Sequence, residues 1–280
     1  MKFRLYDNID AYSSDVLGVL LENEIENNII ISLITENKAQ YNPGWMLATV
    51  TGAGEGVILA ALCVPPLNLL LSEPSSAPQQ DALELLSQKI RQSGYKLPGI
   101  TAKSGLARRF SEIYTAPGMS RLQMKLSLMR LDKLDEYEKA PGYSRFLDDR
   151  DMSFVPYWEH AFSEDCGAHT FSIPENIERI KTRLGMGTHM IWEDGAPVSQ
   201  AVHGRNTPNG AVINWVYTPP TYRGRGYATS VVAELSGSLL SRGKRFCCLF
   251  ADIGNPISCK LYHNLGYYDF CEFADIRFDI

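Results

Sequence analysis

The most regular pattern in the chain is an alternation. Leu122, Met124, Leu126 and Leu128 are apolar, and Gln123, Lys125 and Ser127 between them are polar. A period of two puts successive side chains on opposite faces, so this stretch predicts a strand with its Leu/Met face buried. Elsewhere the apolar positions fall at helical spacing. Leu83, Leu86 and Ile90 predict a helix over 80–93, and similar stretches predict helices over 10–21, 24–36 and 106–114. Short apolar runs over 45–50, 57–64, 67–71 and 97–102 read as strands, the first two joined through Gly52 and Gly54.

The same order of elements then returns. Helical stretches over 152–162 and 174–184 lead into a hairpin, 189–193 and 197–203, turned at Asp194-Gly195. A strand over 211–217, a glycine-rich loop, a helix over 226–241, a strand over 245–251, a helix over 256–265 and a closing strand pair follow. The pattern therefore predicts an α/β chain in which one mixed, mostly antiparallel sheet plan flanked by helices is used twice. The first copy is expected over 1–130, a charged linker ending in Ala140-Pro141-Gly142 over 131–141, and the second copy over 142–280.

Composition narrows the class only a little. At 280 residues, 45% hydrophobic and 21% charged, two globular domains are expected. A net charge of −5 argues against binding nucleic acid through bulk positive charge. The amino-terminal run lacks the apolar core of a signal peptide, and the apolar stretch 56–71 is broken by Pro65-Pro66 and Asn68, so a cytoplasmic chain outside the membrane is expected. Six cysteines show no Cys-x-x-Cys spacing and no metal-ligand pattern; free thiols and no metal follow.

Candidate chemistry concentrates at one junction. The strand ending at Tyr217-Thr218 passes through Pro219-Pro220 into Arg223-Gly224-Arg225-Gly226-Tyr227-Ala228-Thr229 and directly into a helix. A helix start carries unpaired N–H groups and partial positive charge, and small residues let an anion approach them. Arg223 and Arg225 add charge of the kind phosphate pairs with. A nucleotide P-loop would need a Lys in this loop, which has none, and a dinucleotide site would need a βαβ opening that the hairpin excludes.

The run Arg223-Gly224-Arg225-Gly226-Tyr227-Ala228 resembles the Gln/Arg-x-x-Gly-x-Gly/Ala signature of the GNAT superfamily of acetyl-coenzyme A dependent N-acetyltransferases. The segment from Asn255-Pro256 through Tyr262 to Gly266-Tyr267 is similar to a second helix of that family. The resemblance covers 142–280 in detail and the first half only in its order of elements, which implies a tandem arrangement with one intact copy. It implies that acetyl-coenzyme A is the cosubstrate, its pyrophosphate held by backbone amides from Gly224 through Thr229, including Arg225, Tyr227 and Ala228. Val216, Tyr217 and Thr218 would pair with the pantetheine arm, and Asn255 would contact the coenzyme, although an N-cap followed by Pro256 at the first helical position explains Asn255 almost as well.

The resemblance also implies direct attack of an amine, from a small molecule or a peptide, with Tyr262 as the general acid toward the departing thiolate. Some family members carry a Glu on the strand 211–217, where this chain has Asn214 as its only polar side chain. Asp252 is a weaker candidate base, whereas Glu193, Asp194 and His203 read as local structure. A coenzyme-binding regulatory or interaction protein is the competing expectation. The first copy reads Glu73-Pro74-Ser75-Ser76-Ala77-Pro78-Gln79 where the phosphate loop would fall, without glycine or arginine, so it is not expected to bind the coenzyme in the same way.

Overall fold

The computed structural model describes residues 1–36, 38–54, 56–74, 79–167 and 170–279. Two compact units emerge: residues 1–129 with 250–259 and 269–280, and residues 130–249 with 260–268. The chain runs β1 (Lys2–Tyr6), α1 (Ile9–Leu21), α2 (Asn28–Ile34), β2 (Met46–Thr51), β3 (Val57–Cys63), β4 (Leu69–Ser72), α3 (Gln80–Gln92), β5 (Gly99–Lys103), α4 (Ser104–Tyr114) and β6 (Ser120–Leu131). It continues with β7 (Tyr143–Phe146), α5 (Val155–Asp165), α6 (Ile173–Lys181), β8 (His189–Glu193), β9 (Pro197–Gly204), β10 (Gly210–Tyr217), α7 (Tyr227–Ser241), β11 (Phe246–Asp252), α8 (Pro256–His263) and β12 (Tyr268–Phe278). The two series are identical in order, as the repeated pattern predicts.

In the first unit the strands lie in the order β1-β2-β3-β4-β5-β12-β6. Pairing is antiparallel from β1 to β4 and parallel between β4 and β5. Period two builds both faces of this sheet. Met46, Ala48, Val50, Leu59 and Ala61 meet Leu83, Leu86, Leu106 and Phe110 of α3 and α4 on one face. Leu47, Ala60 and Leu62 meet Tyr12, Val16, Leu20, Ile31 and Ile34 of α1 and α2 on the other. The α1 start is capped by Asn8, whose Oδ1 accepts from Asp10 N at 2.6 Å.

The second unit orders its strands β11-β10-β9-β8-β7, with β10 and β11 parallel. Ser172 and Glu175 form a reciprocal capping box at the start of α6. Residues 132–142 have no regular structure but are fastened to α7. Ala140 N donates to Ser230 Oγ at 2.8 Å, and Lys139 Nζ reaches Glu234 at 2.7 Å.

Three expectations change. The alternating strand β6 is buried mainly over 127–131, while Leu122 is 60% exposed. Ser127, Leu128 and Met129 are buried in succession, so both faces of the strand are covered there instead of the single expected face, and the buried Ser127 is satisfied by the Asp269 carboxylate. The expected closing strand pair is a single strand, β12, because no turn interrupts 268–278. From Asp269 onward it belongs to the first unit, pairing antiparallel with β5 from Phe273↔Lys103 to Arg277↔Gly99. The strands β1 and β7 stand at sheet edges, where short and charged sequences such as Lys2-Phe3-Arg4 carry little apolar signal.

Candidate functional site

The junction between β10 and α7 begins with two strands that part. β10 and β11 are paired only from Gly210↔Phe246 to Val212↔Cys248. On its other edge β10 loses register with β9 between Asn214 and Tyr217, so Trp215 and Val216 have no partner residue there. Trp215 adopts φ +51°, a left-handed conformation rare for a large side chain. Such a bulge re-aims the backbone groups of its strand.

Two neighbouring residues of β9, both fully buried, brace this bulge. Ser199 Oγ donates to the Tyr217 carbonyl at 3.1 Å and lies 2.8 Å from Thr218 Oγ1. Gln200 Nε2 donates to the Trp215 carbonyl at 3.4 Å. Gln200 Oε1 is then left to accept from His189 Nε2–H at 3.3 Å, which places the imidazole lone pair on Nδ1. His189 is fully buried, Nδ1 has no partner, and burial next to Arg183 pushes its pKa down to about 3.

Beyond Thr218 the chain makes a 3-10 turn at Pro220–Tyr222 and enters α7 through Gly224 and Gly226, at φ +76° and +79°. Only glycine takes this pair of left-handed positions without strain. A Cβ on Gly224 would meet no atom within 4 Å, so open space adjoins the loop. Gly226 is the N-cap and offers no side-chain cap to a helix of 15 residues, whose first turn holds Tyr227, Ala228 and Thr229. These N–H groups are free of a side-chain anion, the condition for an external one.

The two arginines of the loop behave differently. Arg223 folds back, with Nε donating to the Thr218 carbonyl at 2.9 Å and Nη2 pairing with Asp165 at 2.6 Å. Its guanidinium also lies 5.8 Å from the centre of the Tyr217 ring, and burial raises the pKa of that phenol. Arg225 is exposed beside Tyr222, 6.0 Å from the ring centre. Asp194, at the hairpin tip, accepts from the Tyr227 hydroxyl at 2.5 Å and so brings a carboxylate to the first residue of α7.

The remaining site residues lie on or next to α8. Asn255 caps the helix, its Oδ1 accepting from Ser258 N at 3.1 Å, and it falls in the first unit. Tyr262 falls in the second unit, is 9% exposed, and meets the Tyr267 ring edge to face with centres 5.9 Å apart. Tyr267 is bonded to Ser236 of α7 at 2.8 Å, which ties Tyr262 to the helix that follows the glycine-rich loop. Asp252 Oδ1 accepts from Gly254 N at 2.8 Å, a turn role.

The first copy keeps the parting strands but fills the helix start. β4 and β5 pair only at Leu69↔Ile100 and Leu70↔Thr101. Glu73 then accepts from Gln79 N at 3.0 Å, immediately before α3, and pairs with Arg109 at 2.5 Å. An internal carboxylate thus sits at the end of the helix that in the second copy is uncapped. Ser75, Ser76, Ala77 and Pro78 of this segment lie outside the described residues. Tyr114, at the end of α4, is a core residue stacked on Phe110 with centres 5.4 Å apart.

Sequence reasoning missed a charged cluster at the bulge. Glu159 of α5 is fully buried and pairs through Oε1 with Arg183, while its Oε2 is buried without a partner. Burial pushes its pKa up against the opposing pull of Arg183 and Arg179. The available signal was Glu159 one turn from Val155 and one from Ser163, a carboxylate on the helix's buried stripe. Among the described residues no group of three or more His, Cys, Asp or Glu is placed to hold a metal ion, and no helix is long and apolar enough to cross a membrane.

Residues 194–274 match the family model described as FR47-like protein. Among solved structures the chain is similar to an acetyltransferase of the GNAT family from Colwellia psychrerythraea, at 11% identity over 99% of each chain with a TM-score of 0.65. A GCN5-related N-acetyltransferase from Sphaerobacter thermophilus is similar at 15% identity, over 98% of this chain and 95% of that one, with a TM-score of 0.69. A tandem GNAT protein from the clavulanic acid biosynthesis pathway is similar at 12% identity, over 98% and 97% of the two chains, with a TM-score of 0.59. No curated protein matches the chain in sequence.

Proposed function

We propose that this chain, which has the fold of the GNAT superfamily and matches the FR47-like model over residues 194–274, is an acyltransferase that moves the acetyl group of acetyl-coenzyme A to a primary amine. The observation that carries the proposal is the uncapped start of α7, reached through two left-handed glycines from a strand that parts from its neighbour and bulges.

These features fit the coenzyme in kind. The N–H groups at Gly226 through Thr229 would take the pyrophosphate, and the open space at Gly224 leaves room for it. The parted edge of β10 at Val216, Tyr217 and Thr218 would pair with the pantetheine amides. Acetyl-coenzyme A supplies the acyl group and a thiolate as leaving group. The bulged backbone at Trp215 and Val216 turns N–H groups out of the ladder, where one of them would stabilise negative charge on the thioester oxygen. The Tyr262 hydroxyl would give its proton to the thiolate sulfur.

Arg223 serves this reading by holding the loop rather than the phosphate, since Asp165 already neutralises it. Arg225 keeps its charge for the ligand. The first copy contributes no second coenzyme site, because Glu73 already occupies the corresponding helix start. Coenzyme A titration is expected to saturate at one per chain.

The test is release of free thiol from acetyl-coenzyme A with a panel of amines. Turnover is expected, and Tyr262→Phe is expected to lower kcat by about 10²-fold with little change in coenzyme affinity. Tight coenzyme binding with no release for any amine would replace the enzyme reading by a coenzyme-binding regulator. An unchanged rate in Tyr262→Phe would remove that residue from the mechanism.

A further inference from the structure

Strand β9 carries two uncharged polar residues where its neighbours along the strand are apolar. Ser199 and Gln200 are fully buried between Val198 and Ala201. Burying a hydroxyl or an amide is costly unless it is hydrogen-bonded, and an apolar side chain would fill either position without that cost. Successive residues of a strand point to opposite faces, so the two reach the bulge of β10 from both sides of the sheet. Gln200 donates to the Trp215 carbonyl at 3.4 Å and Ser199 to the Tyr217 carbonyl at 3.1 Å. Behind Gln200, His189 Nε2–H holds the amide oxygen at 3.3 Å, so the amide presents its NH2 end to Trp215.

The peptide unit turns these bonds into direction. In a trans peptide the C=O of one residue and the N–H of the next share a plane and point opposite ways. A Trp215 carbonyl drawn to Gln200 of β9 therefore sends the Val216 N–H away from β9. The strands β9 and β11 flank β10 on opposite edges, and β11 pairs with β10 only as far as Val212↔Cys248. The Val216 N–H thus faces the edge that β11 has left. By the same rule the Tyr217 carbonyl, held by Ser199, turns the Thr218 N–H away from Ser199. Arg223 Nε takes the next carbonyl, that of Thr218, at 2.9 Å. Side chains of the protein hold the carbonyls, and the Val216 and Thr218 N–H groups are turned outward.

We infer that Gln200, with its amide oriented by His189, is a positioning residue that aims the Val216 N–H at the thioester oxygen, and that Ser199 does the same for the Thr218 N–H toward the pantetheine arm. Both side chains are fully buried and act through the peptide planes of β10. A plane fixed at its carbonyl leaves the N–H little freedom, which is the pre-organisation that stabilising a developing oxyanion requires. This inference rests on the acyltransfer reading above.

The experiment separates the two roles by kinetics. Gln200→Met keeps the length of the side chain and loses both of its bonds. It is expected to lower kcat for thiol release from acetyl-coenzyme A about 10²-fold while leaving coenzyme A affinity unchanged. Ser199→Ala is expected instead to raise the coenzyme A Kd about 5-fold. Circular dichroism establishes folding. An undiminished kcat in folded Gln200→Met, or equal losses of kcat and coenzyme affinity in both variants, would overturn the inference.

A second measurement needs no variant and no turnover. In unaltered protein isotopically labelled on valine, the Val216 amide proton is expected to shift downfield with acetyl-coenzyme A and not with coenzyme A, which lacks the thioester oxygen. The same response to both ligands would refute the assignment to Val216. If the protein binds acetyl-coenzyme A but releases no thiol with any amine, the acyltransfer reading fails alone and the Val216 signal still decides the positioning. Failure to bind acetyl-coenzyme A would remove both.

Discussion

Acid is expected to act on this protein through one buried imidazole. His189 is fully buried, its Nε2–H is committed to Gln200, and its Nδ1 faces no partner. Burial and the nearby Arg183 cation hold its pKa at about 3, whereas an unfolded chain returns it to about 6.5. Between these values the unfolded state binds a proton that the folded state does not, so stability is complete above pH 6.5 and falls as pH drops below it. The slope approaches one proton, about 1.4 kcal/mol per pH unit. From pH 6.5 to pH 4 the single group removes about 3 kcal/mol, a large share of the stability of a typical domain.

Carboxylates titrate in the same range, so the informative quantity is a difference between two proteins. Urea unfolding of the parent and of His189→Gln is followed by tryptophan emission at pH 7, 5.5 and 4.5; Trp158, Trp192 and Trp215 all report on the second unit. His189→Gln is expected to start less stable at pH 7, because its amide must repack against Gln200, and to lose stability with acid less steeply by about 1 kcal/mol per unit. Parallel pH profiles for the two proteins would refute the argument, and with it the view that the brace behind the bulge depends on a neutral imidazole.

Two further outcomes are expected. Glu73→Gln should destabilise the first unit by about 2 kcal/mol, since it leaves Arg109 without its carboxylate and weakens the bond to Gln79 N; a midpoint unchanged in urea would show that the helix start does not need the internal anion. Gly99→Ala should cost at least about 3 kcal/mol, because the added Cβ would collide with the Ile276 carbonyl oxygen of β12 and with Asn68 Oδ1; a folded variant of unchanged stability would mean that β12 does not close this unit.

The glycine-rich turn into α7 was legible because its geometry is local. Gly224, Gly226 and the helix that follows are adjacent in sequence, and left-handed backbone at a helix start needs glycine wherever it occurs. The duplication was legible for a similar reason: periods of two and of 3.6 survive even where the two halves share few residues. Short charged edge strands, such as β1 and β7, were hidden because an edge buries little and leaves no pattern.

The sequence by itself determined the order of the elements between the edge strands, their repetition, and the glycine-rich turn into α7. Tertiary structure alone decided the rest. That β12 joins β5, that Ser127 rather than Leu122 is buried, that Glu73 fills the first helix start, and that Glu159 is buried against Arg183 all depend on contacts between residues apart in the chain. Periodicity records which face of an element is apolar. It carries no record of what covers that face, or of which charges meet when the elements pack.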